Sequence, residues 1–284
     1  MNRLPVAMSL FFHVTATNQR LKGGDQLPTE REKMSSPIAL QLYTLRESMV
    51  NDFEGVVRRV AAMGYIGVET AGFPGTTPEK ASRLFQSLGL AVPGAHLPMP
   101  VGDQKQASLD TANALGTKRM INGLGPDHFT SVDKIKAACD QFNAAGAVAA
   151  EHGFTFGIHN HWWEFLQVEG RLVCDIMLEH LEPSVFFELD VYWVQTGGAD
   201  PVDVVKRLGK RAPILHIKDG SCNREEPMTA VGKGKVNIPG VIGAGVGSSE
   251  WLIVELDRCA TDMADAVEQS YRYLVDNGLG SGRS

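Results

Sequence analysis

The residues best able to do chemistry fall in a few short clusters. His159 and His161 stand two apart in GIHNH, Glu188 and Asp190 two apart in FELD, His216 and Lys218 two apart in HIK, and Glu255 sits in VELD. In an extended chain, side chains at i and i+2 share a face, so each pair is expected to point one way. Imidazoles, an aspartate and a glutamate brought together make a mixed nitrogen and oxygen donor set. Such a set suits Mn, Fe, Co or Zn, whereas carboxylates without imidazole lean toward Mg or Ca. The competing reading is that His159 and His161 only hydrogen-bond within a structural rim. The equivalent depth of Asp190, His216 and Glu255 in three successive apolar segments favours the metal.

Four aromatics, Trp162, Trp163, Tyr192 and Trp193, flank these clusters. Sugar C–H faces stack on such rings, which fits a carbohydrate ligand, although packing of a rim uses the same residues.

The elements that must position these groups are repeated βα units. From Pro37 onward, short apolar runs alternate with amphipathic stretches. Strands are expected at 38–43, 66–70, 91–96, 119–122, 155–161, 185–193, 213–219 and 251–257. Helices are expected at 53–63, 78–88, 104–115, 132–152, 201–208 and 263–277. No G-x-G-x-x-G turn follows the first strand, so a closed (β/α)8 barrel of the TIM type, an α/β fold, is favoured over a doubly wound sheet. Barrel chemistry sits at the C-terminal ends of the strands, where Glu69, His96, His159, Asp190, His216 and Glu255 all fall. The expected organisation is a disordered or mis-started leader over 1–36, one barrel over 37–279 and a tail over 280–284.

Composition narrows the partners. The chain has 284 residues, 43% of them hydrophobic, and a net charge of −6. That is enough apolar content for a core, and an acidic chain without a basic run is a poor match for a nucleic-acid backbone. No apolar run reaches the ~18 residues that span a bilayer. Four widely spaced cysteines suggest neither a zinc knuckle nor a disulfide framework, so a cytoplasmic protein is expected, with export through a poor N-terminal signal as the alternative. A homo-oligomer is compatible with the sequence. The glycines and lysines of Gly232–Lys235 could offer backbone N–H groups to a phosphate, or could be solvated loop.

GIHNHWWEF (157–165), FELDVYW (187–193), ILHIKD (214–219), VGKGKVN (231–237) and WLIVELD (251–257) resemble the xylose isomerase-like barrels, in the sugar phosphate isomerase/epimerase group. The resemblance spans nearly all of 37–279. It implies a metal held by Asp190, His216 and Glu255, which match by motif, with His159 at the fourth ligand position and Glu164 a weaker candidate for it; manganese is the first choice, with Co, Zn, Fe or Mg as alternatives. His159 departs from the pattern, which has Glu there. Epimerases of this group use two glutamates as opposed bases, and only Glu255 would remain as a carboxylate base. A His for Glu exchange also lowers the ligand charge from about −3 to about −2, which leaves the cation a stronger Lewis acid.

The function implied is isomerisation or epimerisation of a small keto-sugar through an enediolate, with β-elimination of a keto-sugar or glycoside as the alternative. His161 and Glu255 are the expected bases, with an imidazole near neutrality well matched to the task. Lys218 is expected to neutralise an oxyanion, or else to pair with Asp190 or Asp219. Glu69, His96, Glu164, Trp163 and Trp193 are expected to bind substrate. Endonuclease IV, a relative of the same superfamily, needs a three-zinc cluster rich in His and carries a His where this chain has Trp193. With eight histidines in all, DNA repair is disfavoured. A sugar-binding barrel without catalysis is the non-enzymatic reading, and it would lack stoichiometric metal.

Overall fold

The computed structural model describes Met1 and residues 35–283. The leader expected over 1–36 falls almost entirely outside the described residues. Eight parallel strands make one sheet: β1 (Ile38–Gln41), β2 (Gly67–Glu69), β3 (Ala95–His96), β4 (Arg119–Asn122), β5 (Thr155–His159), β6 (Phe186–Asp190), β7 (Ile214–Ile217) and β8 (Trp251–Val254). Their order is β2-β1-β8-β7-β6-β5-β4-β3, and parallel bridges Gly67↔Ala91 and Thr70↔Ala95 join the two end strands, closing the barrel.

The helices form where polar caps meet apolar periodicity. Asp52, Thr77, Ser131 and Asp262 each accept a backbone N–H in the first turn of the helix they precede. The longest, Val132–Glu151, buries Ile135, Ala138, Cys139, Phe142, Ala145 and Ala149, a stripe at helical spacing turned to the sheet. Among the described residues no helix is long and apolar enough to cross a membrane.

Inside the barrel the strands stack their side chains in layers. Ala39, Ile121, Phe186, Ile214 and Ile253 make an apolar floor. Two residues further along the same strands come Gln41, Glu188, His216 and Glu255, which the alternation of a strand puts on the same inward face. All four are buried. The apolar layer lies beneath a layer of buried polar and ionisable side chains.

The strands are shorter than the apolar runs suggest. The fifth stops at His159, so Asn160 and His161 lie in the turn beyond it. The sixth stops at Asp190, whose Oδ1 accepts the Trp193 N–H at 2.9 Å and starts a helix over Val191–Thr196. A capping carboxylate ends the strand, whatever the β-propensity of the Tyr and Trp that follow. A hairpin of Gln167–Val168 with Arg171–Leu172 and helices Val173–His180 and Ile238–Gly245 were not expected from sequence. The packed chain also extends past both boundaries. Ser36 Oγ donates to the Ser249 carbonyl at 2.8 Å, and the Arg283 N–H donates to the Gly64 carbonyl at 2.8 Å.

Gly157 marks a close approach. A Cβ built there would lie 2.2 Å from Cε2 of Phe186, a floor residue on the neighbouring strand. Gly157→Ala is expected to lower stability by about 1–3 kcal/mol, the usual cost of overpacking a filled core. Urea unfolding of the two proteins measures it, and an unchanged midpoint would mean that the ring has room to move.

Candidate active site

At the C-terminal mouth the barrel opens into a cavity of about 420 Å³ lined by Tyr43, His96, Gly123–Gly125, His159, His161, Trp163, Glu255 and Asp257. Of the residues expected to act, His96, His159, His161, Trp163 and Glu255 reach this cavity. Asp190 and His216 lie beneath it, fully buried.

Strand register explains who meets whom. His159 is the cross-strand partner of Glu188, and Asp190 that of His216. Glu188 Oε2 lies 3.0 Å from His159 Nδ1, 3.1 Å from His216 Nε2 and 2.6 Å from His96 Nε2. Glu69 Oε2 lies 2.8 Å from His216 Nε2 and accepts from Gln41 Nε2 at 2.8 Å. On the opposite edge of the His216 ring, Nδ1 is 2.8 Å from Glu255 Oε2. His159 Nε2 faces Asp190 Oδ2 at 3.9 Å. Asn160, not anticipated as a site residue, accepts the Asp190 N–H at 2.9 Å and donates to the Asp190 carbonyl at 3.2 Å, fastening the two strand ends together.

Charge balance sets the protonation. Burial opposes a charge on His216, but Glu188, Glu255 and Glu69 outweigh it and hold its pKa well above the ordinary value. For His96 burial is likewise overcome by Glu188 and Glu69, which hold the pKa at about 10. The same attractions, against burial, keep Glu188 and Glu255 ionised, with His216 and His96 acting on the first and Lys218 and His216 on the second. Burial lifts the Asp190 carboxyl above its ordinary value despite the nearby Lys218.

Four residues answer to the metal expectation. One donor atom each from His159, Asp190, His216 and Glu255 lies within 4.8 Å of the others. They fit a divalent cation on two counts. The set mixes two imidazoles with two carboxylates, the chemistry of Mn, Co, Zn or Fe. Glu69 and Glu188, accepting at the far edges of both rings, fix which ring nitrogen is left to face Asp190 and Glu255. A second group, His96, His159, Glu188 and His216, meets the same distance test, but its contacts are those hydrogen bonds.

Several expectations are corrected. Lys218 does not face the cavity: its ammonium lies 3.0 Å from Asp190 Oδ2, 2.8 Å from Glu255 Oε2 and 2.8 Å from Asp257 Oδ2. An ammonium has three N–H donors, and three carboxylates take them, so none remains for a substrate oxyanion. Burial works against that charge, yet Asp190, Asp257 and Glu255 hold the Lys218 pKa well above its ordinary value. Of the two carboxylates expected as alternative partners of Lys218, Asp190 is met, and Asp219 pairs with no lysine among the described residues. Its carboxylate accepts the N–H groups of Gly220, Gly232, Gly234 and Val236 at 2.9–3.1 Å, which spends the loop amides considered for a phosphate. Glu69 is fully buried in the network and Glu164 is 1% exposed, and neither lines the cavity. Trp193 turns instead to a neighbouring cavity of about 460 Å³ that it lines with Trp162, Tyr192 and Arg224.

His161 is brought to the right place but not with the expected basicity. Its ring stacks on Trp163 at 4.3 Å between centroids and meets His159 edge-on at 5.1 Å. Burial first, then the neighbouring His159 and Lys218, push its pKa down to about 2, so the imidazole is neutral across the physiological range. Asp257 and Tyr43, which line the cavity, went unassigned from sequence. Their signal was only position: Tyr43 closes the first expected strand, and Asp257 follows Glu255 by two.

A closed parallel barrel with an imidazole and carboxylate cluster under its C-terminal mouth is the arrangement of barrel enzymes. Residues 57–276 match the model of the xylose isomerase-like TIM barrel family, and the chain belongs to that family. Two solved structures from Parabacteroides distasonis ATCC 8503, each described as a sugar phosphate isomerase/epimerase, are similar to it. One is 26% identical with a TM-score of 0.74, covering 87% of this chain and 100% of that one. The other is 24% identical with a TM-score of 0.72, covering 87% and 96%. The IOLI protein, with a zinc atom bound, shares the fold at 15% identity and a TM-score of 0.67, over 84% of this chain and 97% of that one. No curated protein matches the sequence.

Glu164 provides a measurable signature of this packing. Its Oε2 accepts the His161 N–H at 2.9 Å, and burial pushes its pKa up to about 8. The folded protein therefore keeps a proton on Glu164 that the unfolded chain releases above its ordinary carboxyl range. Where the native state holds the extra proton, stability falls as pH rises, here from about 4.5 toward about 8. Glu164→Gln removes the titration, and its stability should decline less steeply across that window, by on the order of 1 kcal/mol per pH unit at most. Urea midpoints at pH 5, 6.5 and 8 test this, and parallel slopes for the two proteins would contradict it.

Proposed function

We propose that the protein is a divalent-metal-dependent isomerase or epimerase of a small keto-sugar, with manganese first among Mn, Co, Zn, Fe and Mg. The observation that carries this reading is the convergence of His159, Asp190, His216 and Glu255 at the floor of the mouth cavity, with His161 and Glu255 both reaching the space above. The described resemblance to two sugar phosphate isomerase/epimerases supports the reaction class. The four free cysteines fit a reducing compartment such as the cytoplasm.

A bound divalent cation would supply positive charge for the oxygens of an enediolate as the neighbouring C–H proton leaves. The chain's own groups do the rest. His96 and Asp257 line the cavity and can hold sugar hydroxyls, and the Trp163 ring offers a face to the C–H surface of the sugar. His161 Nδ1 is buried without a hydrogen-bond partner, and the stacked Trp163 keeps its ring in place. As a neutral imidazole it can accept the carbon proton without first losing one. Its depressed basicity places its contribution toward the lower end of the ~10²–10⁴-fold range for a positioned base. Glu255, ionised and at the cavity wall, is the second base. Lys218 holds Asp190, Glu255 and Asp257 in position and does not touch the substrate. The pairing of one imidazole with one cavity-lining glutamate would also serve β-elimination, so a lyase is the second reading.

Asp190→Ala and His216→Ala are expected to abolish activity and reduce bound metal several-fold with the barrel intact. Metal content per chain and circular dichroism check this, and a variant with full activity and unchanged metal would sink the assignment.

His161→Gln should keep metal and substrate binding and cut kcat by about 10²-fold. It should also lose solvent deuterium incorporation when keto-pentoses and keto-hexoses are incubated in D₂O. Retention of most of kcat and of the exchange would move the base to Glu255. Loss of a hydroxyl from the sugar, in place of exchange, would favour the lyase.

A further inference from the structure

We infer that Glu188 is the positioning residue of this site, completing His159 as a ligand by holding its ring and adding a buried carboxylate charge behind that ring. This rests on the metal reading above. The two residues are cross-strand partners in the β5–β6 register, and their side chains point into the same barrel layer. Adjacent strands lie ~4.8 Å apart, so the contact is built into the backbone and needs no loop to make it. Glu188 Oε2 meets His159 Nδ1 at 3.0 Å, which leaves Nε2 as the ring nitrogen aimed at Asp190.

The same oxygen lies 3.1 Å from Nε2 of His216, so one carboxylate orients both imidazoles of the donor set. Among the described residues no other carboxylate contacts both rings on the edges away from Asp190 and Glu255, since Glu69 reaches His216 but not His159. Glu188 is fully buried, so solvent does not dilute its field. An imidazole whose N–H is given to a carboxylate is the more basic ligand at its other nitrogen, and losing such a partner typically costs 10–100-fold in metal affinity. The donor set itself carries two carboxylates, and Glu188 supplies a third negative charge through the ring of His159.

The arrangement makes a reciprocal prediction, read as Co²⁺ affinity of the full chain by chelator competition and as the visible spectrum of the bound ion. Glu188→Gln should bind Co²⁺ 10–100-fold more weakly, with altered visible bands as the two rings lose their fixed orientation. His159→Glu alone sets two carboxylates against each other across the register and should also weaken binding. The double variant, Glu188→Gln with His159→Glu, moves the carboxylate one strand over into the ligand position. It should recover affinity to within about threefold of the starting protein. Wild-type affinity in Glu188→Gln, or a double variant no better than Glu188→Gln alone, would overturn the role.

If Glu188→Gln does not fold, Glu188→Asp keeps the charge and withdraws the oxygen. It should bind Co²⁺ at least fivefold more weakly, and unchanged affinity overturns the role equally. The outcomes separate from those of the metal reading. Loss of Co²⁺ in Asp190→Ala without loss in Glu188→Gln defeats this inference alone, whereas a starting protein that binds no Co²⁺ defeats both.

Discussion

Four carboxylates, Glu69, Glu188, Asp190 and Glu255, lie together inside the barrel with almost no access to water. Ionised groups at that density cost several kcal/mol each unless they are paired, so the rest of the upper barrel is organised around pairing them. Lys218 takes three N–H donors into the cluster, and His216 and His96 carry protons that would leave ordinary imidazoles at neutral pH. This balance rests on the apolar floor. Ala39, Ile121, Phe186, Ile214 and Ile253 exclude water from below, and that exclusion makes every attraction above it stronger.

Several side chains fix the backbone and the buried cluster at once. Asp190 Oδ1 caps the helix that begins at Val191 while Oδ2 faces Lys218 and His159, so the cap aims the second oxygen. Asn160 binds both backbone polar groups of Asp190, which ties the orientation of the aspartate to the end of the neighbouring strand. Asp219 does for the loop what Lys218 does for the cluster. By accepting four backbone N–H groups it folds 220–236 back on itself, and a side chain at Gly234 would collide with its carboxylate at 2.1 Å. A loop closed in this way has spent its amides on itself, which makes its glycines structural.

Much of this was legible in the sequence because the barrel is a local pattern repeated. Apolar runs alternating with amphipathic stretches gave the fold class, and their equivalent depth at three successive strand ends grouped Asp190, His216 and Glu255. What was not legible depends on contacts across strands. The tie between His159 and Glu188 comes from their register, which no single segment reveals. Lys218 reads in HIKD either as a cation for an oxyanion or as a partner of Asp190 or Asp219, and only the position of Asp257, 39 residues on, shows that its third donor is taken. The equally short Pro201–Leu208 was legible because Asp200 and Pro201 mark its start, whereas Val173–His180 has no side-chain cap and Ile238–Gly245 carries three glycines, so both were missed.

His161 shows the limit of reading reactivity from residue type. Its spacing from His159 suggested a shared strand face, but the strand ends at His159 and the ring arrives from the turn. It still comes to lie 5.1 Å from His159, because the flat contact with Trp163 seats it there. That same aromatic wall excludes water, and burial is the largest of the influences that depress its basicity. Position and proton affinity thus trade against each other at this residue. The packing that fixes an imidazole over the donor set also weakens it as a base. Among its charged neighbours Glu255 acts to raise the His161 pKa, against His159, Lys218 and His96. In the proposed mechanism His161 and Glu255 are therefore coupled through the field of one carboxylate.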